Sequence, residues 1–226
     1  CDNQCGSSLD FDDCGICGGL NSSMDEFGIC DGDGTIQNAI DSANVGDTIN
    51  VPVGTYNESI SIDKTLNLVC ANPRACFIDA RGIDGRAVAV LAQGVVLDGF
   101  TIPGDASMYA GVVLTPSSSG SSVLNNTIFG MSLSNPSNSS PLSYGVLAYG
   151  QDQTTMPIGL TIANNEIYGV SGSAISLGDY TYGTTILGNT LRDILPVPLL
   201  GQDFSAGIQA QFAGALTIDN NNFSNL

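Results

Sequence analysis

The chain has no histidine and no tryptophan, and only five lysines and arginines against 22 aspartates and glutamates. Each shortage excludes something. Without histidine, the one side chain that ordinarily titrates near neutrality is missing, and with it the commonest general base. A net charge of −17 repels phosphate backbones and anionic lipid, which argues against nucleic-acid partners. No apolar run approaches the roughly 20 residues that a bilayer demands, so no membrane insertion is expected. Charged residues make up only 12% of the 226, while glycine alone contributes 28. That balance suits a secreted, extracellular or cell-surface β-protein. The chain opens at Cys1 without an initiator methionine, as a processed segment would.

What is present is a repeat. Leu97-Asp-Gly-Phe-Thr-Ile102, Val123-Leu-Asn-Asn-Thr-Ile128, Ile162-Ala-Asn-Asn-Glu-Ile167, Ile186-Leu-Gly-Asn-Thr-Leu191 and Ile218-Asp-Asn-Asn-Asn-Phe223 share one pattern. An apolar residue leads into a Gly/Asn bend, and a second apolar residue follows. A strand–turn–strand unit recurring at 20–40 residues predicts stacked coils, because one coil cannot bury its apolar residues alone. Between these motifs lie further short alternating runs. They include Thr48 to Val53, Ile60 to Val69, Ala87 to Leu91, Gly111 to Leu114, Gly145 to Leu147, Ala174 to Leu177 and Gly207 to Ala210. Residues 129–158 and 192–206, rich in Ser, Pro and Gly, predict loops extruded from the stack.

The bend residues carry their own expectation. Asn and Gly tolerate positive φ. Asn126, Asn165, Asn189 and Asn221 share one position and predict an asparagine ladder up the stack. A row of polar side chains binding sugar is the alternative use of the same residues.

Residues 1–33 form a separate Cys/Asp-rich segment with eight acidic residues and little apolar periodicity. Cross-links or metal would have to fold it. Cys1, Cys5, Cys14, Cys17 and Cys30 predict a disulfide-stapled module. A zinc site built from Cys5, Cys14, Cys17 and Cys30 is the alternative. Cys70 and Cys76 bracket a short loop that a local bridge would close. Seven is odd, so Cys1 is the candidate for a free thiol or an intermolecular link. Asp10, Asp12, Asp13, Asp31 and Asp33 are candidate calcium ligands, a solvated acidic loop being the plainer expectation. No cofactor is otherwise required. Five sequons, at Asn21, Asn57, Asn125, Asn138 and Asn222, point to N-linked glycans.

Just after this segment, Ile36, Ala39, Ile40 and Ala43 fall on one face of a short helix, which Asp33 or Thr35 would cap. The run Thr35-Ile-Gln-Asn-Ala-Ile40, then Gly46-Asp-Thr-Ile49, then Val53-Gly-Thr-Tyr-Asn-Glu58 resembles the single-stranded right-handed parallel β-helix superfamily, the pectate-lyase-like fold. Val96-Leu-Asp-Gly-Phe-Thr-Ile102 is equally similar to its coils. The resemblance covers residues 34–226. It implies an all-β solenoid entered through a capping helix. Asp13-Cys-Gly-Ile-Cys-Gly-Gly19 resembles short Cys/Asp/Gly repeats of secreted surface proteins.

The superfamily holds lyases, hydrolases, esterases, epimerases, tailspikes and adhesins, so the fold alone assigns no activity. The hydrolases and epimerases of this fold need histidine, which is absent. A lyase would need an arginine base beside calcium held by aspartates. Among Arg74, Arg81, Arg86 and Arg192, the stretch Asp79-Ala-Arg81-Gly-Ile-Asp84-Gly-Arg86, with Asp98 nearby, is the candidate. A surface turn of solvated ion pairs is the simpler expectation, and no catalytic residue is assigned. The chain stops within a coil motif, which suggests a neighbouring copy stacked end to end in a filament. The expected function is a non-catalytic structural or adhesive glycoprotein, the repeating subunit of a surface fibre. A calcium-dependent polysaccharide lyase and a monomeric glycan-binding β-helix are the alternatives.

Overall fold

The computed structural model describes residues 9–83, 85–132, 142–197 and 205–226. Their strands wind into a right-handed parallel β-helix with three sheets. The first sheet stacks Thr48–Val51, Asn67–Cys70, Val96–Asp98, Ser122–Leu124, Thr161–Ala163, Thr185–Leu187 and Thr217–Asp219. The second stacks Gly54–Tyr56, Cys76–Ile78, Phe100–Pro103, Thr127–Phe129, Glu166–Tyr168, Thr190–Arg192 and Asn222–Ser224. The third stacks Ile60–Ile62, Gly85–Val90, Met108–Leu114, Ser143–Ala148, Gly172–Leu177 and Ala206–Ala210. Every pairing between these strands is parallel. Each described coil therefore contributes one strand to each sheet, save the last, which has none in the third.

The motif's two apolar positions become two internal stacks. Leu68, Leu97, Val123, Ile162 and Ile186 lie in register in the first sheet, all fully buried. Ile78, Ile128, Ile167 and Leu191 fill the second stack with Ile102. Val88, Val112, Val146 and Ile175 close the core from the third sheet. Burying each such aliphatic side chain contributes roughly 2 kcal/mol.

The bend between the first two sheets divides its two residues between two tasks. The left-handed conformation belongs to the earlier one: Gly99 (φ 82°), Asn125 (56°), Asn164 (57°), Gly188 (66°) and Asn220 (52°). The later one, at Asn126, Asn165 and Asn189, is buried and builds a ladder. The Oδ1 of Asn165 accepts from the Asn126 backbone N at 3.0 Å and from its Nδ2 at 3.2 Å. Asn189 does the same for Asn165, and Asn221 for Asn189. Each Nδ2 also donates to a carbonyl of the coil before it: Leu97, Val123, Ile162 and Ile186. Burial of three of the four amides removes them from any sugar-binding role.

The structure corrects several boundaries. The run Ile60 to Val69 is two strands in different sheets, turned at residues 63–66. The stretch 129–158 is not one loop, because Ser143–Ala148 returns to the third sheet and divides it. Of the 192–206 loop, residues 198–204 lie outside the described residues.

A helix, α1 (Ile36–Ser42), covers the first coil. Thr35 is its N-cap, its hydroxyl accepting from Asn38 N. Ile36 and Ile40 are fully buried in the core. Glu58 extends both carboxylate oxygens to the helix start, accepting from Ile36 N and Gln37 N. The Gln37 amide then pairs with the edge strand as a backbone would. Its Oε1 accepts from Ser61 N and its Nε2 donates to Ser61 O. An open strand edge is thus occupied by a side chain, the device that discourages edge-to-edge pairing.

The acidic N-terminal segment folds as two copies of one turn. Asp12-Asp-Cys-Gly15-Ile16-Cys17-Gly-Gly19 matches Asp25-Glu-Phe-Gly28-Ile29-Cys30-Asp-Gly32 position for position. In the first, Asp12 Oδ1 accepts from Cys14 N and Ile16 N, and Oδ2 from Asn21 N. In the second, Asp25 Oδ1 accepts from Phe27 N and Ile29 N, and Oδ2 from Gly34 N. Gly15 and Gly28 take φ 74° and 81° at equivalent points. A disulfide from Cys14 to Cys30 ties the copies together.

Candidate functional site

The candidate catalytic turn is resolved into separate parts. Asp79 and Arg81 lie just after the second-sheet strand Cys76–Ile78. Arg81 donates Nε to Asp79 Oδ1 at 2.8 Å and Nη2 to Oδ2 at 2.6 Å. These bonds hold the Asp79 carboxyl below the usual carboxylate range. Asp105 from the next coil joins them, accepting from Gly82 N, Ser107 N and Ser107 Oγ. Its carboxyl is also held low, chiefly by Ser107. Asp98 is elsewhere, on the outer face of the first sheet, accepting from Asn125 Nδ2 at 2.7 Å. Arg86 is the second residue of the third-sheet strand Gly85–Val90, and Asp84 lies outside the described residues. The fold therefore does not bring Asp98 to Arg81. The third-sheet column that contains Arg86 reads Arg86, Ala110, Tyr144, Ser173 and Ala206, without a carboxylate.

A different cluster forms on the second sheet. Phe129, Tyr168 and Arg192 are register partners on successive coils. The Phe129 and Tyr168 rings stack with centroids 5.0 Å apart, and the Arg192 guanidinium lies 3.8 Å over the Tyr168 ring. Arg192 also pairs with Glu166 at 2.9 Å and Asp193 at 2.7 Å, while Arg74 reaches Glu166 at 3.6 Å. Asn225 and Arg192 hold the Asp193 carboxyl low. This arrangement is a mutually neutralised surface ladder. The sequence signal for it was the residue just beyond each motif: Phe129, Tyr168 and Arg192 stand six positions after Val123, Ile162 and Ile186.

The cysteines settle into disulfides wherever they are described. Cys70 and Cys76 are bonded, as are Cys14 and Cys30, and Cys17 is also disulfide-bonded. The four-thiolate zinc alternative is overturned, since a cysteine in a disulfide offers no thiolate. Cys1 and Cys5 lie outside the described residues.

The candidate calcium ligands are dispersed. Asp12 spends both oxygens on three backbone N–H groups. Asp13 accepts from Asn21 Nδ2, and Asp33 from Thr35 N and Oγ1. No group of three or more potential metal ligands assembles among the described residues.

The sequons divide by environment. Asn57 and Asn222 are exposed. Asn21 donates its amide to Asp13 and Asn125 donates its own to Asp98. Asn138 lies outside the described residues.

Comparison with known proteins agrees with this architecture. No curated protein matches the chain. Among solved structures, the alginate lyase from Paenibacillus sp. str. FPU-7 is similar at TM-score 0.40 and 16% identity, over 83% of this chain and 96% of that one. That distance carries nothing about activity. Residues 110–226 match the family described as "Right handed beta helix region". The chain belongs to the right-handed β-helix family.

Proposed function

We propose that the chain is an extracellular, non-catalytic β-helix with a structural or adhesive role. The observation that carries this reading is the employment of its chemistry-bearing side chains. Arg81, Arg192 and Arg74 are paired with carboxylates on the outer surface, and Asp98 is bonded to Asn125 on another face. An arginine base needs an unpaired guanidine beside bound metal. Here each of these three guanidinium groups is engaged by a carboxylate. The disulfides at Cys14–Cys30 and Cys70–Cys76 support an oxidising compartment. The net charge of −17 opposes binding of polyuronates, which are themselves polyanions.

The rival reading is a calcium-dependent lyase using Arg81 or Arg86, of which only Arg81 is paired with a carboxylate among the described residues. Incubation with polygalacturonate and with alginate, with and without calcium, separates the two. No unsaturated product is expected. Product formation that Arg81→Gln or Arg86→Gln abolishes would overturn the proposal. End-to-end association of copies belongs to the same reading. Electron micrographs taken at high concentration under non-reducing conditions check it, and particles that stay single would remove it.

A further inference from the structure

The corner where third-sheet strands turn into the first sheet carries a cleft of about 530 Å³. Gln153, Met156, Asp179, Tyr180, Tyr182 and Phe212 line it. The aromatic residues are unusually open for their size: Tyr180 is 36% exposed, Tyr182 50% and Phe212 79%. Neither the Asp179 carboxylate nor the Gln153 amide is bonded to another side chain among the described residues, and nor are the Tyr180 and Tyr182 hydroxyls.

The cleft is built rather than incidental. Tyr182 is fixed between two neighbours in the stack, bridging Ile158 on one side and Gly214 on the other. Gly214 clears the space for its ring: a Cβ there would stand 2.8 Å from Tyr182 Cδ2. Tyr180 is held at φ 60° and Phe212 at φ 52°, a conformation that bulky residues rarely adopt. Gly150 makes room on the opposite wall, since a Cβ there would meet the Tyr180 carbonyl at 2.6 Å. The loop carrying Gln153 is closed on itself by Asp152, which accepts from Thr154 N, Thr154 Oγ1 and Thr155 N. The turns that carry the rings are therefore set before any ligand arrives, which lowers the ordering cost of binding.

From this geometry we infer that the cleft between Tyr180, Tyr182 and Phe212 binds a neutral saccharide. Flat aromatic faces accept the apolar C–H face of a pyranose. The phenol hydroxyls, the Asp179 carboxylate and the Gln153 amide meet its hydroxyl rim. The volume falls within the range of small-ligand sites. Asp179 and the negative chain repel uronates, which fixes the class as uncharged sugars. A quaternary ammonium ligand would also suit aromatic rings beside a carboxylate. The unpartnered amide and hydroxyls favour the sugar, because an alkylammonium can satisfy none of them. The site stands on a different surface from the Arg81 turn, so it does not depend on the absence of catalysis.

Calorimetric titration of the whole chain with cellohexaose, laminarihexaose, chitohexaose, hexagalacturonate and phosphocholine tests this. At least one neutral hexasaccharide is expected to bind, with Tyr182→Ala and Gln153→Ala each weakening it about tenfold or more. Phe129→Ala, on the second sheet, is expected to leave binding unchanged. Circular dichroism checks that each variant is folded, and Gln153, on an exposed loop, keeps the test open if Tyr182→Ala fails to fold. Failure of all three neutral sugars to bind overturns the inference. So does binding that survives both cleft substitutions, or tighter binding of hexagalacturonate or phosphocholine. Cleavage of a bound sugar would instead overturn the non-catalytic reading and leave the site standing.

Discussion

Asn165 and Asn126, 39 residues apart in sequence, share one buried acceptor: Asn165 Oδ1 takes both the backbone N–H and the side-chain N–H of Asn126. Removing that amide strands several polar groups at once. Asn165→Ala leaves Asn126 N and Nδ2, the Val123 carbonyl and the Asn189 Oδ1 short of partners. A buried unsatisfied group costs about 1–3 kcal/mol. A total loss of about 3 kcal/mol or more is expected in chemical denaturation. Its neighbour behaves oppositely. Asn164, at φ 57°, is expected to accept glycine within about 1 kcal/mol and to reject valine.

Glycine in the third sheet is a packing requirement. A Cβ on Gly145 would stand 2.3 Å from Ile167 Cγ2 and 2.6 Å from the Ala174 carbonyl. Gly111 faces Ile128 and Gly207 faces Phe223 in the same way. Gly145→Ala is expected to cost about 1–3 kcal/mol through overpacking, read as a lowered thermal midpoint.

Stability is expected to fall in acid. The carboxyls of Asp79, Asp105 and Asp193 are held below their ordinary value by hydrogen bonds and neighbouring arginines. A group whose pKa is depressed by folding stabilises above its unfolded pKa, about 3.9, and loses that contribution as pH falls through its folded value. Unfolding free energy should therefore decline below about pH 4. Glu58 runs the other way: burial raises its carboxyl, so its contribution is present below its unfolded value of about 4.3 and is lost as pH rises through its folded value. Asp79→Asn is expected to flatten the acid limb in a titration of denaturation midpoints. An unchanged limb would contradict this account.

Glycan mapping of protein secreted from a eukaryotic host should find Asn57 and Asn222 occupied. Asn21 and Asn125 should be empty or substoichiometric, because each amide already donates to a carboxylate. Peptide mass spectrometry before and after glycosidase treatment reads this directly. Full occupancy at Asn125 would mean that its contact with Asp98 is dispensable.

Much of the architecture is legible because a β-helix writes its period into local chemistry. Each bend needs a residue tolerant of positive φ, and each coil needs apolar residues at fixed offsets from it. The aligned Asn126, Asn165, Asn189 and Asn221 therefore mark the ladder, and Ile36, Ala39 and Ile40 mark the helix that covers the first coil. The division of the Asn pair is less legible, because either residue tolerates the left-handed conformation. Only the inward direction of the second residue, fixed by flanking Ile and Leu positions, decides which amide is buried. The 13-residue repeat around Asp12 and Asp25 was in plain view. It reads as an acidic loop until its carboxylates are seen turned onto backbone N–H groups.

The amino-acid sequence by itself determined that the chain must coil and stack, because no single turn of it carries enough apolar surface to stand alone. Only the tertiary structure decided which side chains meet. The steps between motifs are unequal, at 26, 39, 24 and 32 residues, so separation along the chain does not say what lies above what. Parallel register does. It sets Phe129 on Tyr168 beneath Arg192, parts Asp98 from Arg81, and opens Tyr180, Tyr182 and Phe212 around one cleft.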